Sequence, residues 1–74
     1  MVSDKIRSIW ERELRLRDIG DDDDFFDLGG HSLIMQRIQL GIKEELGSEV
    51  PMDDLFRLAT IAKISERLEK ATVL

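Results

Sequence analysis

Apolar residues recur along this chain at helical spacing, interrupted at three places, and the pattern predicts four helices and no strand. The first runs from Asp4 to Arg15, with Ser3 as its N-cap and Ile6, Ile9, Trp10 and Leu14 on one stripe. Glu13 falls inside that stripe and is expected at its edge, because an unpaired buried carboxylate is costly. A second helix begins at Ser32 and ends near Leu46, where Gly47 supplies a C-cap. At about 100° per residue, Ile34, Met35, Ile38, Ile42 and Leu46 share one face. Leu33 and Leu40 fall on the other, beside Gln36, Arg37 and Glu44, where no core explains them. Gly41 costs this helix roughly 0.5–1 kcal/mol relative to alanine, which marks a close helix crossing or local softness. A brief third helix opens at Asp53 and Asp54 and continues through Leu55 and Phe56 toward Leu58, its acidic residues at the positive end. Thr60 caps a fourth, with Ile61, Ile64, Leu68 and Ala71 on its apolar face.

Between Arg17 and His31 the periodicity disappears. Gly20, the run Asp21 to Asp24 and the pair Gly29 and Gly30 all favour irregular backbone, so a long loop joins helices one and two. Phe25, Phe26 and Leu28 are expected to pin it to the helices, a reading of equal weight with a direct functional role.

The 74 residues suffice for one domain, spanning 1–74. Cysteine is absent, which excludes disulfides and thiolate-ligated metals. A net charge of −5 argues against nucleic acid, since phosphate binding draws on clustered positive charge. No apolar run approaches the roughly 18 residues of a membrane span, and Asp4, Lys5 and Arg7 stand where a signal peptide would be apolar. The expectation is a cytoplasmic monomer that meets other proteins rather than membranes.

Three stretches invite chemistry. His31 beside Ser32 suggests nucleophilic catalysis, but Gly30-His31-Ser32-Leu33-Ile34 lacks the second glycine and the strand of a nucleophile elbow, so His31 reads as an exposed loop residue. The aspartate run suggests calcium. Counted from Asp21, however, the fifth, sixth and twelfth positions of an EF-hand loop hold Phe25, Phe26 and Ser32, so no metal site is expected and a solvated acidic loop is. Ser32 itself, taken alone, reads as an ordinary N-cap. Gly29 and Gly30 before it leave the hydroxyl open to close approach by another protein, and a phosphate attached there would meet the positive end of a helix.

The stretch Asp24-Phe25-Phe26-Asp27-Leu28-Gly29-Gly30-His31-Ser32-Leu33 closely resembles the attachment motif of peptidyl carrier proteins, the thiolation domains of nonribosomal peptide synthetases. The resemblance extends through Trp10 and Leu14, Ile19-Gly20, Leu46-Gly47, Val50-Pro51-Met52, Leu55-Phe56 and Thr60-Ile61-Ala62. His31, where fatty-acid carriers commonly have aspartate, favours the peptidyl branch. Ala59 departs from the pattern, standing where a proline often precedes the threonine, so the turn into helix four is expected to be less rigidly set.

This resemblance implies an all-α, acyl-carrier-protein-like four-helix bundle with the long loop and short third helix already described. It implies that Ser32, framed by Leu28, Gly29, Gly30, His31 and Leu33, receives 4′-phosphopantetheine from coenzyme A through a magnesium-dependent phosphopantetheinyl transferase. The arm's thiol would hold an aminoacyl or peptidyl group, loaded by an adenylation enzyme and presented to condensation, tailoring or thioesterase partners. The carrier itself would catalyse nothing. Partners would dock on Leu33, Gln36 and Leu40, with Met35 at the margin, where the core is the weightier reading, and Met52 as a weaker contact near helix three. Two other readings stay open: an acyl carrier from fatty-acid, polyketide or another pathway, and an acidic helical interaction module without a prosthetic group. The leaning is toward a free-standing carrier over one domain of a synthetase.

Overall fold

The computed structural model describes the backbone of residues 1–72 and the side chains of residues 1–70. Helices α1 (Val2–Leu14), α2 (Ser32–Leu46), α3 (Met52–Leu58) and α4 (Ile61–Thr72) follow in order, with no strand among the described residues. Helix α1 packs against α2 and α4, while the short α3 bridges α2 and α4. The all-α bundle expected from the periodicity is present.

Its core is built from the predicted stripes. Ile6, Ile9 and Trp10 of α1 meet Met35, Ile38 and Ile42 of α2, Leu55 of α3, and Ile61, Ile64 and Leu68 of α4, all buried. Each such side chain contributes roughly 1.5–3 kcal/mol by leaving water. Leu14, Ile34 and Leu46 are partly buried against this cluster, whereas the Ala71 side chain lies outside the described residues. Glu13 sits at the stripe's edge as expected, accepting a hydrogen bond from Arg12 Nε at 3.1 Å. Gly41 marks a close crossing. A Cβ there would stand 3.1 Å from Cγ2 of buried Ile9, so its absence lets α2 lie against α1. Arg12 straddles the same crossing and bonds Glu45 at 3.1 Å.

Two helix starts differ from expectation, those of α1 and, by one residue, α3, which opens at Met52 where Asp53 was expected. Helix α1 begins two residues earlier than the sequence suggests, with Met1 at the cap position, so Ser3 lies in the first turn and caps nothing. The reason is Val2, which packs against the core and draws its turn into the helix. Helix α2 begins at Ser32 as expected, but His31 holds the cap position, so the reading of Ser32 alone as a cap is overturned. At α4 the expectation holds, because Thr60 Oγ1 accepts the Lys63 N–H at 3.2 Å. The turn before it is closed by Ala59 at φ 56°, a conformation that proline cannot adopt. No described helix is long and apolar enough to cross a membrane.

Candidate functional site

The loop before α2 is fastened at both ends. From α1, Arg7 Nε donates to the carbonyl of buried Ile19 at 3.0 Å, and its guanidinium pairs with Asp4 and Asp21. From the other side, the Phe25 N–H donates to the Ala59 carbonyl at 2.8 Å and the Ala62 N–H to the Asp21 carbonyl at 3.0 Å. The aspartate run is therefore more than a solvated loop. Asp23 Oδ2 accepts the Gly20 N–H at 2.8 Å, and Asp24 Oδ2 accepts those of Phe26 and Asp27 at 2.9 and 3.1 Å, closing the turn that leads to the glycines. Asp22 and Asp27 remain exposed. Nowhere among the described residues do three or more acidic or histidine side chains gather as metal ligands. Residues 17–28 carry one arginine and six aspartates, a local net charge equal to the chain's whole −5, in the loop that leads to α2.

The three expected pins behave differently. Phe25 is completely buried and Leu28 partly so, but Phe26 is 51% exposed. Phe26 lies on the surface, stacked on Phe56 of α3 with centroids 5.7 Å apart and planes 19° from parallel. Phe25 instead turns inward, edge-on to Trp10 at 5.5 Å.

Gly29 and Gly30 serve distinct purposes. Gly29 adopts φ 87°, where a Cβ is disfavoured, although it faces open space. Gly30 needs no positive φ. It lies flat on the Phe25 ring, where an added Cβ would be 2.6 Å from Cε1 and closer still to Cε2 and Cζ. Its N–H donates to the Phe25 carbonyl at 3.0 Å. Sequence reasoning assigned both glycines to open approach and missed this contact, as it missed Arg7, because neither arises from local spacing.

Beyond the glycines the chain turns extended at His31, φ −146° and ψ 177°, and enters α2. Both His31 and Ser32 are exposed. No side chain caps the helix, and no described side chain bonds the Ser32 hydroxyl. Helix α1 has Asp4 in its first turn and α3 has Asp53 and Asp54, whereas the first turns of α2 and α4 contain no acid. The free N–H groups and dipole of α2 therefore have no anion of their own beside Ser32. A phosphoester on that oxygen fits: it would find open space, unclaimed donors and a favourable field.

Down the same helix, Ser32, Leu33, Gln36 and Leu40 fall within an arc of about 100° and a length of roughly 12 Å. Leu33 and Leu40 are 51% and 55% exposed, and Gln36 is exposed between them. Leu40 overlooks a groove of about 480 Å³ lined also by Val50 and Pro51. Met52 is half-buried against the core. Met35 does not belong to this surface. It is 0% exposed on the opposite face of α2, packed in the core, which corrects its place at the margin.

Residues 4–68 match the family model described as "Phosphopantetheine attachment site". Among similar proteins, a dimodular nonribosomal peptide synthase of Bacillus subtilis is 48% identical over 56 residues, covering 76% of this chain and 2% of that protein. A probable non-canonical nonribosomal peptide synthetase of Salinispora arenicola, CymA, is 42% identical over 69 residues, covering 93% of this chain and 1% of that protein. The chain thus spans only one or two hundredths of the length of these relatives. The peptidyl carrier protein structure solved with the phosphopantetheine transferase Sfp and coenzyme A superposes with a TM-score of 0.91 at 33% identity, covering 95% of this chain and 91% of that one. An active-site mutant peptidyl carrier protein gives 0.90 at 33% identity, covering 95% and 78%.

Proposed function

The chain belongs to the phosphopantetheine attachment-site family, and on that premise we propose that it is a peptidyl carrier of nonribosomal peptide synthesis, with Ser32 as the acceptor of the prosthetic group. The observation that carries the assignment of Ser32 is its hydroxyl: exposed, without a side-chain partner, and placed at the entry of a helix whose first turn lacks an acid. When bound, 4′-phosphopantetheine supplies a thiol that holds aminoacyl or peptidyl groups as thioesters. The chain's own part is positional. Helix α2 presents the oxygen, its free N–H groups receive the phosphate, and the loop leaves room on the glycine side. No described side chain of this chain bonds Ser32, so as its oxygen would take the phosphopantetheinyl phosphate and 3′,5′-ADP would leave, the hydroxyl proton would pass to the transferase or to solvent. On this reading the carrier works as a non-catalytic cytoplasmic monomer, single-domain in itself. A phosphopantetheinyl transferase and an adenylation enzyme act on it, and condensation, tailoring or thioesterase enzymes follow.

Leu33, Gln36 and Leu40 form the docking strip in this reading, with Met52 beside it, because they extend from the attachment point along one face and two of them expose apolar surface without a structural use. The peptidyl branch is supported by the synthetase relatives and the carrier structures. The experiment offers phosphopantetheinylated protein to amino-acid-activating and fatty-acyl-transferring enzymes in parallel. Aminoacyl thioester alone is the expected product; fatty-acyl loading alone would move the chain to the acyl-carrier branch.

A further inference from the structure

Phe25 is the residue on which the approach to α2 rests. Its ring is buried, edge-on to Trp10 at 5.5 Å, to Phe26 at 5.5 Å and to Phe56 at 6.4 Å, so α1, the loop and α3 all border it. Its backbone is engaged at both ends, the N–H with Ala59 and the carbonyl with Gly30. The remaining side of the ring is occupied by the Gly30 backbone, at a distance that admits no side chain. Only His31 separates that contact from Ser32. A close-packed interior transmits such a displacement instead of absorbing it.

We infer that Phe25 is a positioning residue for the modification of Ser32: its ring, set by the aromatic core, fixes the depth of Gly30 and so the place of the hydroxyl two residues later. This rests on Ser32 being the acceptor. The ring atoms that forbid a Cβ at position 30 are Cε1, Cε2 and Cζ, none of which leucine possesses. Phe25→Leu therefore leaves Gly30 unsupported and displaces the serine inward, Gly30→Ala displaces it outward, and in the double variant the alanine methyl occupies space that the shorter side chain vacates.

The test measures kcat and KM for transfer of phosphopantetheine from coenzyme A by a broad-specificity transferase, on the whole chain, at a temperature where circular dichroism shows each variant folded. Gly30→Ala is expected to lose on the order of tenfold to hundredfold in kcat/KM, because small misplacements of a reacting atom are costly. The double variant, Phe25→Leu with Gly30→Ala, is expected to regain most of that rate while its melting temperature stays below wild type. A role confined to stability would instead move rate and melting temperature together. Should Gly30→Ala alone fail to fold, Phe25→Leu and the double variant are compared; a slowed Phe25→Leu with a faster double variant supports the proposal, and a Phe25→Leu as fast as wild type overturns it. A folded Gly30→Ala modified at the wild-type rate also overturns it, as does a folded double variant no faster than Gly30→Ala. Failure of wild type to accept the group would instead defeat the assignment of Ser32.

Discussion

Phe25 and Phe26 are neighbours of identical chemistry, yet one is fully buried beneath the loop and the other is half exposed upon it. The inner side of the loop, with Phe25, Ile19 and the Gly30 contact, is buried with the bundle's core. The outer side, with Phe26, Asp22, Asp27 and Ser32, is open to solvent. The difference teaches how a small domain presents a reactive hydroxyl: rigidity is supplied from below, leaving the upper surface free for another protein.

The largest effect is expected from removing the inner support. Phe25→Ala should cost about 3–5 kcal/mol, as such core truncations do, against the ~3–5 kcal/mol that a core of this size supplies. Urea denaturation is expected to show loss of the cooperative transition, and a retained transition near the wild-type midpoint would break the comparison. Phe26→Ala is expected to cost less, about 1–3 kcal/mol, from its half-buried area and its stack on Phe56. A loss as large as that of Phe25 would show that the two sides of the loop are equally structural.

Leu33→Asp sharpens the comparison on the outer side. The leucine is 51% exposed, and a carboxylate in the first turn of α2 meets the helix dipole favourably, so stability is expected within about 0.5 kcal/mol of wild type. The KM for the loading enzyme should nevertheless rise severalfold in initial-rate measurements. Collapse of the helical dichroism would return Leu33 to the core.

The smallest effect belongs to Glu66 and Lys70, an exposed pair 2.8 Å apart on α4. The hydrogen bond and charge of Lys70 hold the Glu66 carboxyl below its ordinary 4.5. Any stabilisation is therefore complete above that value and disappears as pH falls through the lower folded one. With both groups in solvent, Glu66→Gln is expected to leave the thermal midpoint unchanged at neutral pH. A measurable drop would mean that α4 depends on its surface charges.

The helical faces were legible because burial repeats with the helix period: Ile6, Ile9 and Trp10, or Met35, Ile38 and Ile42, need only their spacing to be found. The exposed Leu33 and Leu40 were legible for the complementary reason, as residues the core does not need, whereas Ser32, alone an ordinary cap, was singled out by the two glycines before it and by the resemblance of its motif. The loop carries no period, so nothing in its order distinguishes Phe25 from Phe26, and of the three expected pins Phe26 lies on the surface while Phe25 and Leu28 are drawn toward the core. The use of Gly30 was hidden for the same cause, since it depends on a ring brought beneath it by the fold. Ser3 misled because a cap is recognised locally, whereas Val2 is drawn into helix by the distant core.

The most direct test of the central claim is intact-mass measurement after incubation with coenzyme A, magnesium and a broad-specificity transferase. Wild type is predicted to gain one phosphopantetheinyl group and Ser32→Ala none. An unchanged wild-type mass with several competent transferases, or modification that persists in Ser32→Ala, would contradict it.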